Sequence, residues 1–225
     1  MSPRLLFTVV LASLTLGLSA QTVSFSDTLL SPRPGTESWQ AGNTAGSGNL
    51  DFRTNGLTYF VDPAATSADR EGRMLSGVSA PLTADWSARV TVFAPPFDGM
   101  STTGAYANLS LAVFDASNSS ANTTVLSLDR YFDGSVVQKG IEYYFPGTSG
   151  TPTATVSTSL TGAVLRIDYS SSANALSFYY ASASTPTAFT QLGGSQSLSS
   201  WGMTSGETFG FALNAASSNF AVPAD

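Results

Sequence analysis

The chain has no cysteine and no histidine, a single lysine, Lys139, and only four glutamates, Glu37, Glu71, Glu142 and Glu207. Without cysteine there is no disulfide framework, no thiolate nucleophile and no thiolate-bound zinc. Without histidine there is no Ser-His-Asp triad, no imidazole base and no histidine-held metal. Any catalysis would have to rest on carboxylates, tyrosines or Lys139. Charge is also scarce: Asp, Glu, Lys and Arg make up 11% of the 225 residues, with 15 acidic against 9 basic. Phosphate backbones are gripped by clusters of Lys and Arg, and here the basic residues lie one at a time, the closest being Arg70 and Arg73. Nucleic acid is thereby excluded as a partner.

Long apolar runs are missing too, apart from one at the start. Arg4, the run Leu5 to Leu18 and the small pair Ser19-Ala20 have the form of a secretory signal peptide. The run is shorter than the roughly 20 apolar residues that span a bilayer, and Ser13 and Thr15 interrupt it. The expectation is a signal at residues 1–20, a mature start near Gln21, and a secreted or cell-surface product with no membrane span. Secretion without cysteine fits a bacterial export route, and about 205 residues can bury a sufficient core without disulfides.

Serine and threonine total 61 residues, yet the chain does not read as disordered, because 14 Phe, 8 Tyr and 3 Trp fall in short alternating runs between Gly, Asn, Ser and Pro. Strands are expected at Val23 to Leu29, Leu57 to Val61, Arg73 to Val78, Trp86 to Phe93, Leu109 to Asp115 and Thr124 to Tyr131. Five more are expected at Val136 to Phe145, Ala154 to Thr158, Val164 to Tyr169, Ala175 to Ala181 and Thr208 to Asn214. Helical periodicity is confined to one turn around Ser199 to Met203, and Ser171 to Asn174 and Asp133-Gly134 read as chain reversals. Residues 31–48, 97–104 and 146–152 read as long loops. Residues 21–225 therefore form one all-β domain, a two-sheet antiparallel β-sandwich of jelly-roll type.

The order Phe25-Ser-Asp27, Ala84-Asp-Trp86, Leu111-Ala-Val-Phe-Asp115, Val164-Leu-Arg-Ile-Asp-Tyr169, Leu176-Ser-Phe-Tyr-Tyr180 and Ser200-Trp-Gly-Met203 before Phe209 resembles the concanavalin A-like lectin and glucanase superfamily. The likeness is to its non-catalytic jelly rolls in secreted bacterial proteins. It implies a sandwich with one concave face and does not by itself imply a ligand. Relatives of this fold commonly hold calcium, but Asp115 to Asn122 offers Asp and Asn without the spacing of a recognised site. No metal and no cofactor is expected. Against the closing strand that the superfamily implies, only Phe220 to Val222 remains, so residue 225 is either the end of a shortened strand or a break in a longer chain.

Glucanases of the superfamily carry Glu-x-Asp-x-Glu on one strand, and no such run exists here. The nearest pairs are Asp129 with Asp133, at a strand end, and Asp69 with Glu71, in a charged loop. The chain is therefore expected not to be an enzyme.

Alternation sorts the strands into faces. Trp86, Ala88, Val90 and Val92; Leu126 and Leu128; Ile141, Tyr143 and Phe145; Leu165, Ile167 and Tyr169; and Leu176, Phe178 and Tyr180 fall inward. If those strands are neighbours in one sheet, its outer face presents Arg89, Asp129, Tyr131, Glu142, Tyr144, Arg166, Asp168 and Tyr179. Tyrosine rings can stack on a pyranose while charged groups bond its hydroxyls. The same residues would also serve a plain solvated sheet with cross-strand ion pairs. Trp86 and Trp201 read as core, and Trp39 and Tyr106 as exposed loop contacts. The leading expectation is a secreted, non-catalytic, lectin-like protein that binds a glycan or polysaccharide. The alternative is a structural or adhesive extracellular sandwich with a cell-surface partner, and a carboxylate-dependent glycoside hydrolase stands last.

Overall fold

Residues of alternating polarity make a strand with one buried and one open side, and the strand Trp86–Phe93 does so over its whole length. Trp86, Ala88, Val90 and Val92 are buried, and Ser87, Arg89, Thr91 and Phe93, which alternate with them, are partly exposed. The computed structural model describes residues 6–10, 26–27, 39–41, 49–53, 56–60, 69–75, 79–93, 100, 102–147 and 151–218.

Two sheets result. One runs in the order β15 (Thr190–Gln191), β14 (Ala175–Ser182), β13 (Gly162–Ser170), β8 (Trp86–Phe93), β1 (Leu6–Val10), β5 (Gly56–Phe60), β4 (Asn49–Arg53). Onto it pair β16 (Gln196–Ser197), at β14, and β2 (Ser26–Asp27), at β1. The other runs β12 (Ala154–Ser157), β11 (Val137–Tyr144), β10 (Thr123–Phe132), β9 (Tyr106–Asp115), β17 (Thr208–Ser218), β6 (Asp69–Leu75), β3 (Trp39–Ala41). There β7 (Ala80–Pro81) lies beside β17. All the strand pairings described are antiparallel. The all-β, two-sheet architecture is the one the sequence predicts.

Between the sheets lies an apolar layer whose centre is aromatic. Trp86 stacks on Tyr169 at 5.6 Å and meets Phe209 and Phe211 edge-on at 5.0 and 5.3 Å. Tyr143 of one sheet lies flat on Phe178 of the other, with ring centroids 4.0 Å apart. Full burial of a side chain such as Phe178 contributes roughly 1.5–3 kcal/mol. Trp86 and Trp201 are core residues, as expected.

The reversals also follow their chemistry. Asp133 accepts the backbone N–H groups of Ser135 and Val136 through Oδ1, and Gly134 takes a φ of 100°, closing the β10–β11 hairpin. At the β13–β14 hairpin, Asn174 has φ 45°, and Asp85 accepts both the N–H and the hydroxyl of Ser171.

Several expectations need correcting. Trp39 opens an edge strand, not a loop, and Asp69 and Glu71 lie on β6, not in a charged loop. Tyr106 begins β9 because pairing with β10 extends that strand three residues further back than its apolar run. β17 continues to Ser218, four residues past the expected end, because β9 and β6 flank it. Apart from these corrections, Leu6–Val10, inside the stretch read as a signal, pairs as a strand between β8 and β5. The segment Phe220 to Val222 lies outside the described residues, as do residues 97–99 and 101 of the loop 97–104.

Candidate functional site

The register of the second sheet lines up its outward residues in rows. Ser157, Gly140, Asp129, Asn108 and Ala216 stand opposite one another across β12, β11, β10, β9 and β17, with Arg70 of β6 at the end of the row. The next row is Thr155, Glu142, Ser127, Ser110 and Asn214, and the one after it is Tyr144, Val125, Ala112 and Ala212. On the other side of the Asp129 row come Gln138, Tyr131 and Tyr106. The centre of the face thus carries Ser, Ala, Gly and Asn together with Asp129 and Glu142, while Tyr106, Tyr131, Tyr144 and Phe114 stand around it. The result is an open groove of about 1100 Å³. Phe114 is held by Gly210, where a β-carbon would come within 2.4 Å of the ring.

Two carboxyl groups stand on the groove floor. Asp129 faces Gly140 and Glu142 faces Ser127, so the two acids are diagonal neighbours on adjacent strands, a placement that puts β-carbons within about 7–8 Å. Ser127 Oγ donates to Asp129 Oδ2 at 2.6 Å, and the Tyr144 hydroxyl donates to Glu142 Oε1. Burial raises the pKa of Asp129 well above the ordinary carboxylate range, and the charge of Glu142 raises it further. Hydrogen bonds from Ser127 and Asn108 and the charge of Arg130 oppose the rise. Burial likewise raises Glu142, against the hydrogen bond from Tyr144. The Tyr144 phenol is pushed up by burial, by its bond to Glu142 and by the nearby negative charges. Alternation turns Arg130 to the inner side of β10, where it is fully buried and donates to the carbonyls of Asp129, at 2.7 Å, and Leu160, at 2.5 Å.

The expectation of one cluster is corrected by the topology. Asp129, Tyr131, Glu142 and Tyr144 share the groove, but Arg89, Arg166, Asp168 and Tyr179 belong to β8, β13 and β14 of the opposite sheet. Alternation predicts the face a residue takes but not which strands become neighbours, and β8 pairs with β13, not β10. On that second face Arg166 bonds Asp168 at 3.0 Å and lies over the rings of Tyr179 and Phe189 at 4.4 and 4.1 Å, while Ser87 donates to Asp168 at 2.6 Å. The charges of Arg166 and Asp168 are thus paired with each other, while Arg166 Nε is buried without a hydrogen-bond partner.

The loop Asp115 to Asn122 is likewise occupied by its own bonds. Asp115 accepts the N–H and hydroxyl of Ser117 at 2.8 and 2.7 Å, and the amide of Asn122 at 3.1 Å. Among the described residues no three or more acidic side chains come together as a metal site would need, and no helix is long and apolar enough to cross a membrane.

Groove residues that sequence reasoning missed are Asn108, Ser127 and Asn214. The signal for Ser127 and Glu142 was present. Counting outward from the Asp133-Gly134 reversal sets them opposite each other.

No family model and no curated protein matches the chain. Among solved structures it is similar to winged bean acidic lectin complexed with methyl-α-D-galactose, at 11% identity and a TM-score of 0.44 over 83% of this chain and 94% of that one. It is also similar to lectin II from Ulex europaeus, at 15% identity and a TM-score of 0.46 over 82% and 92%. A β-glucanase of Bacillus licheniformis gives 11% identity and a TM-score of 0.33 over 83% and 94%. The chain's two-sheet antiparallel arrangement stands on the strand pairing itself.

Proposed function

We propose that this is a secreted protein that binds a glycan in the groove of the β9–β12 and β17 face without cleaving it. The observation that carries this reading is the trough itself, a floor of small and polar residues bordered by the rings of Tyr106, Tyr131 and Tyr144. Flat rings offer stacking surface to the apolar side of a pyranose. Asp129, Glu142, Asn108 and Asn214 supply directional partners for hydroxyls. Tyr131 is 45% exposed, an aromatic at the groove's border without full cover of its own.

The test is binding of the protein to a panel of neutral polysaccharides, beside its Tyr144→Ala variant. Saturable binding that weakens in the variant supports the reading, and absence of binding by the folded protein contradicts it.

A second reading, hydrolysis of a glycosidic bond, is favoured by one observation. Asp129 and Glu142 are two carboxyl groups on one face, diagonal to each other on adjacent strands, and glycosidases work with a pair of carboxyl groups. Release of reducing ends by the wild type, abolished in Asp129→Asn and Glu142→Gln, would move the protein to that class.

A further inference from the structure

The groove is aromatic at its border and carries two acids, Asp129 and Glu142, on its floor. No Lys or Arg alternates to their face on β9, β10, β11 or β17, although Arg130 and Lys139 also border the groove and the charge of Arg130 reaches Asp129. Arg130 and Lys139, paired across β10 and β11, alternate to the other side of their strands, and Arg130 is spent on two carbonyls. Arg70, at the far end of the Asp129 row, is three strands away. Besides these, the titratable groups facing the acids are the phenols of Tyr144, bonded to Glu142, and Tyr106.

We propose that the groove selects glycans bearing a free amine, with the ammonium seated between Asp129 and Glu142. This rests on the glycan reading above and names the ligand class of the same site.

The argument is electrostatic. Two partly buried carboxylates repel each other, and each loses hydration when a sugar covers the floor. A neutral sugar leaves that repulsion in place and adds the desolvation. A uronate adds a third negative charge. An ammonium attracts both carboxylates and donates three hydrogen bonds in a fan that two carboxyl groups can accept, while the ring it is attached to can lie against Tyr144 or Tyr131. The raised pKa values of the two acids fit the same geometry, because burial of both, and for Asp129 the charge of Glu142, disfavours the ionised forms that a nearby cation would favour.

The experiment measures affinity by calorimetry for three oligomers of equal length, in chelator so that no divalent cation bridges the acids. The three are β-linked glucosamine, its fully N-acetylated counterpart, and a hexuronate. The expected result is binding of the amine form at least about tenfold tighter than the acetylated form, with the hexuronate weakest. Proton release should accompany the amine form, and added salt should narrow the preference. In Asp129→Asn and Glu142→Gln, isosteric changes that keep an acceptor for Ser127 and Tyr144, the ratio of the two affinities should fall to within about twofold. Near-ultraviolet circular dichroism reports that the variants are folded. Equal affinity for amine and acetylated forms, or a preference that survives in both variants, overturns the amine assignment and leaves glycan binding standing. Binding of none of the three by the folded protein overturns both.

Discussion

Glu142 and Asp129 share one face of adjacent strands, diagonal to each other across the β10–β11 hairpin, with Tyr144 donating to the first and Ser127 to the second. They are 13 positions apart in sequence, and the Asp133 turn brings them together.

That relationship fixes how stability should respond to pH. Both acids have folded pKa values above their unfolded values of about 4, so the folded state holds the extra protons. Unfolding free energy must therefore fall as pH rises from about 4 toward the folded values. Asp85, Asp115, Asp133 and Glu207 have lowered pKa values because local hydrogen bonds together outweigh the opposing effect of burial, which is the largest single influence at Asp115. Their contribution is present above about 4 and disappears below it. Thermal melts should thus peak in mildly acidic buffer, and Asp129→Asn should flatten the decline toward neutral pH. A melting temperature that rises steadily from pH 5 to 7, unaltered in the variant, would contradict the buried pair.

Trp86 links the two sheets through Tyr169, Phe209 and Phe211. Trp86→Ala should cost about 3–5 kcal/mol, read as a lowered denaturation midpoint with the slope unchanged. By contrast, Tyr131→Ala at the groove border should leave the midpoint within about 0.5 kcal/mol.

If residues 1–20 are removed on export, the intact mass of the protein recovered outside the cell begins at Gln21. The partners of Val90 to Phe93 on β1 are then gone from that form. Recovery of exported protein still carrying Leu6 to Val10 would contradict the signal reading.

Much of the fold is legible in the sequence because a strand's period of two shows in its residues. Ile141, Tyr143 and Phe145 are buried as their alternation predicts, and so are Leu165, Ile167 and Tyr169. What alternation does not carry is which strand sits beside which. Arg166 and Glu142 look equally outward-facing along the chain, and only the long-range pairing of β13 with β8 separates them onto opposite faces. Short strands such as Thr190–Gln191 and Ala80–Pro81 have no period to detect, since two residues are held by their neighbours. The acid pair escaped a search along single strands because its members lie on two.

The division between the two faces gives the most direct test of a groove-borne function. Tyr144 and Tyr179 are both half-buried tyrosines on outward faces, one on the groove and one beneath Arg166 on the opposite sheet. Glycan affinity should be measured for the wild type, Tyr144→Ala and Tyr179→Ala, with folding verified for each. The account predicts a roughly 2- to 10-fold loss or more for Tyr144→Ala and wild-type affinity for Tyr179→Ala. Equal losses in the two variants, or a loss confined to Tyr179→Ala, would contradict it.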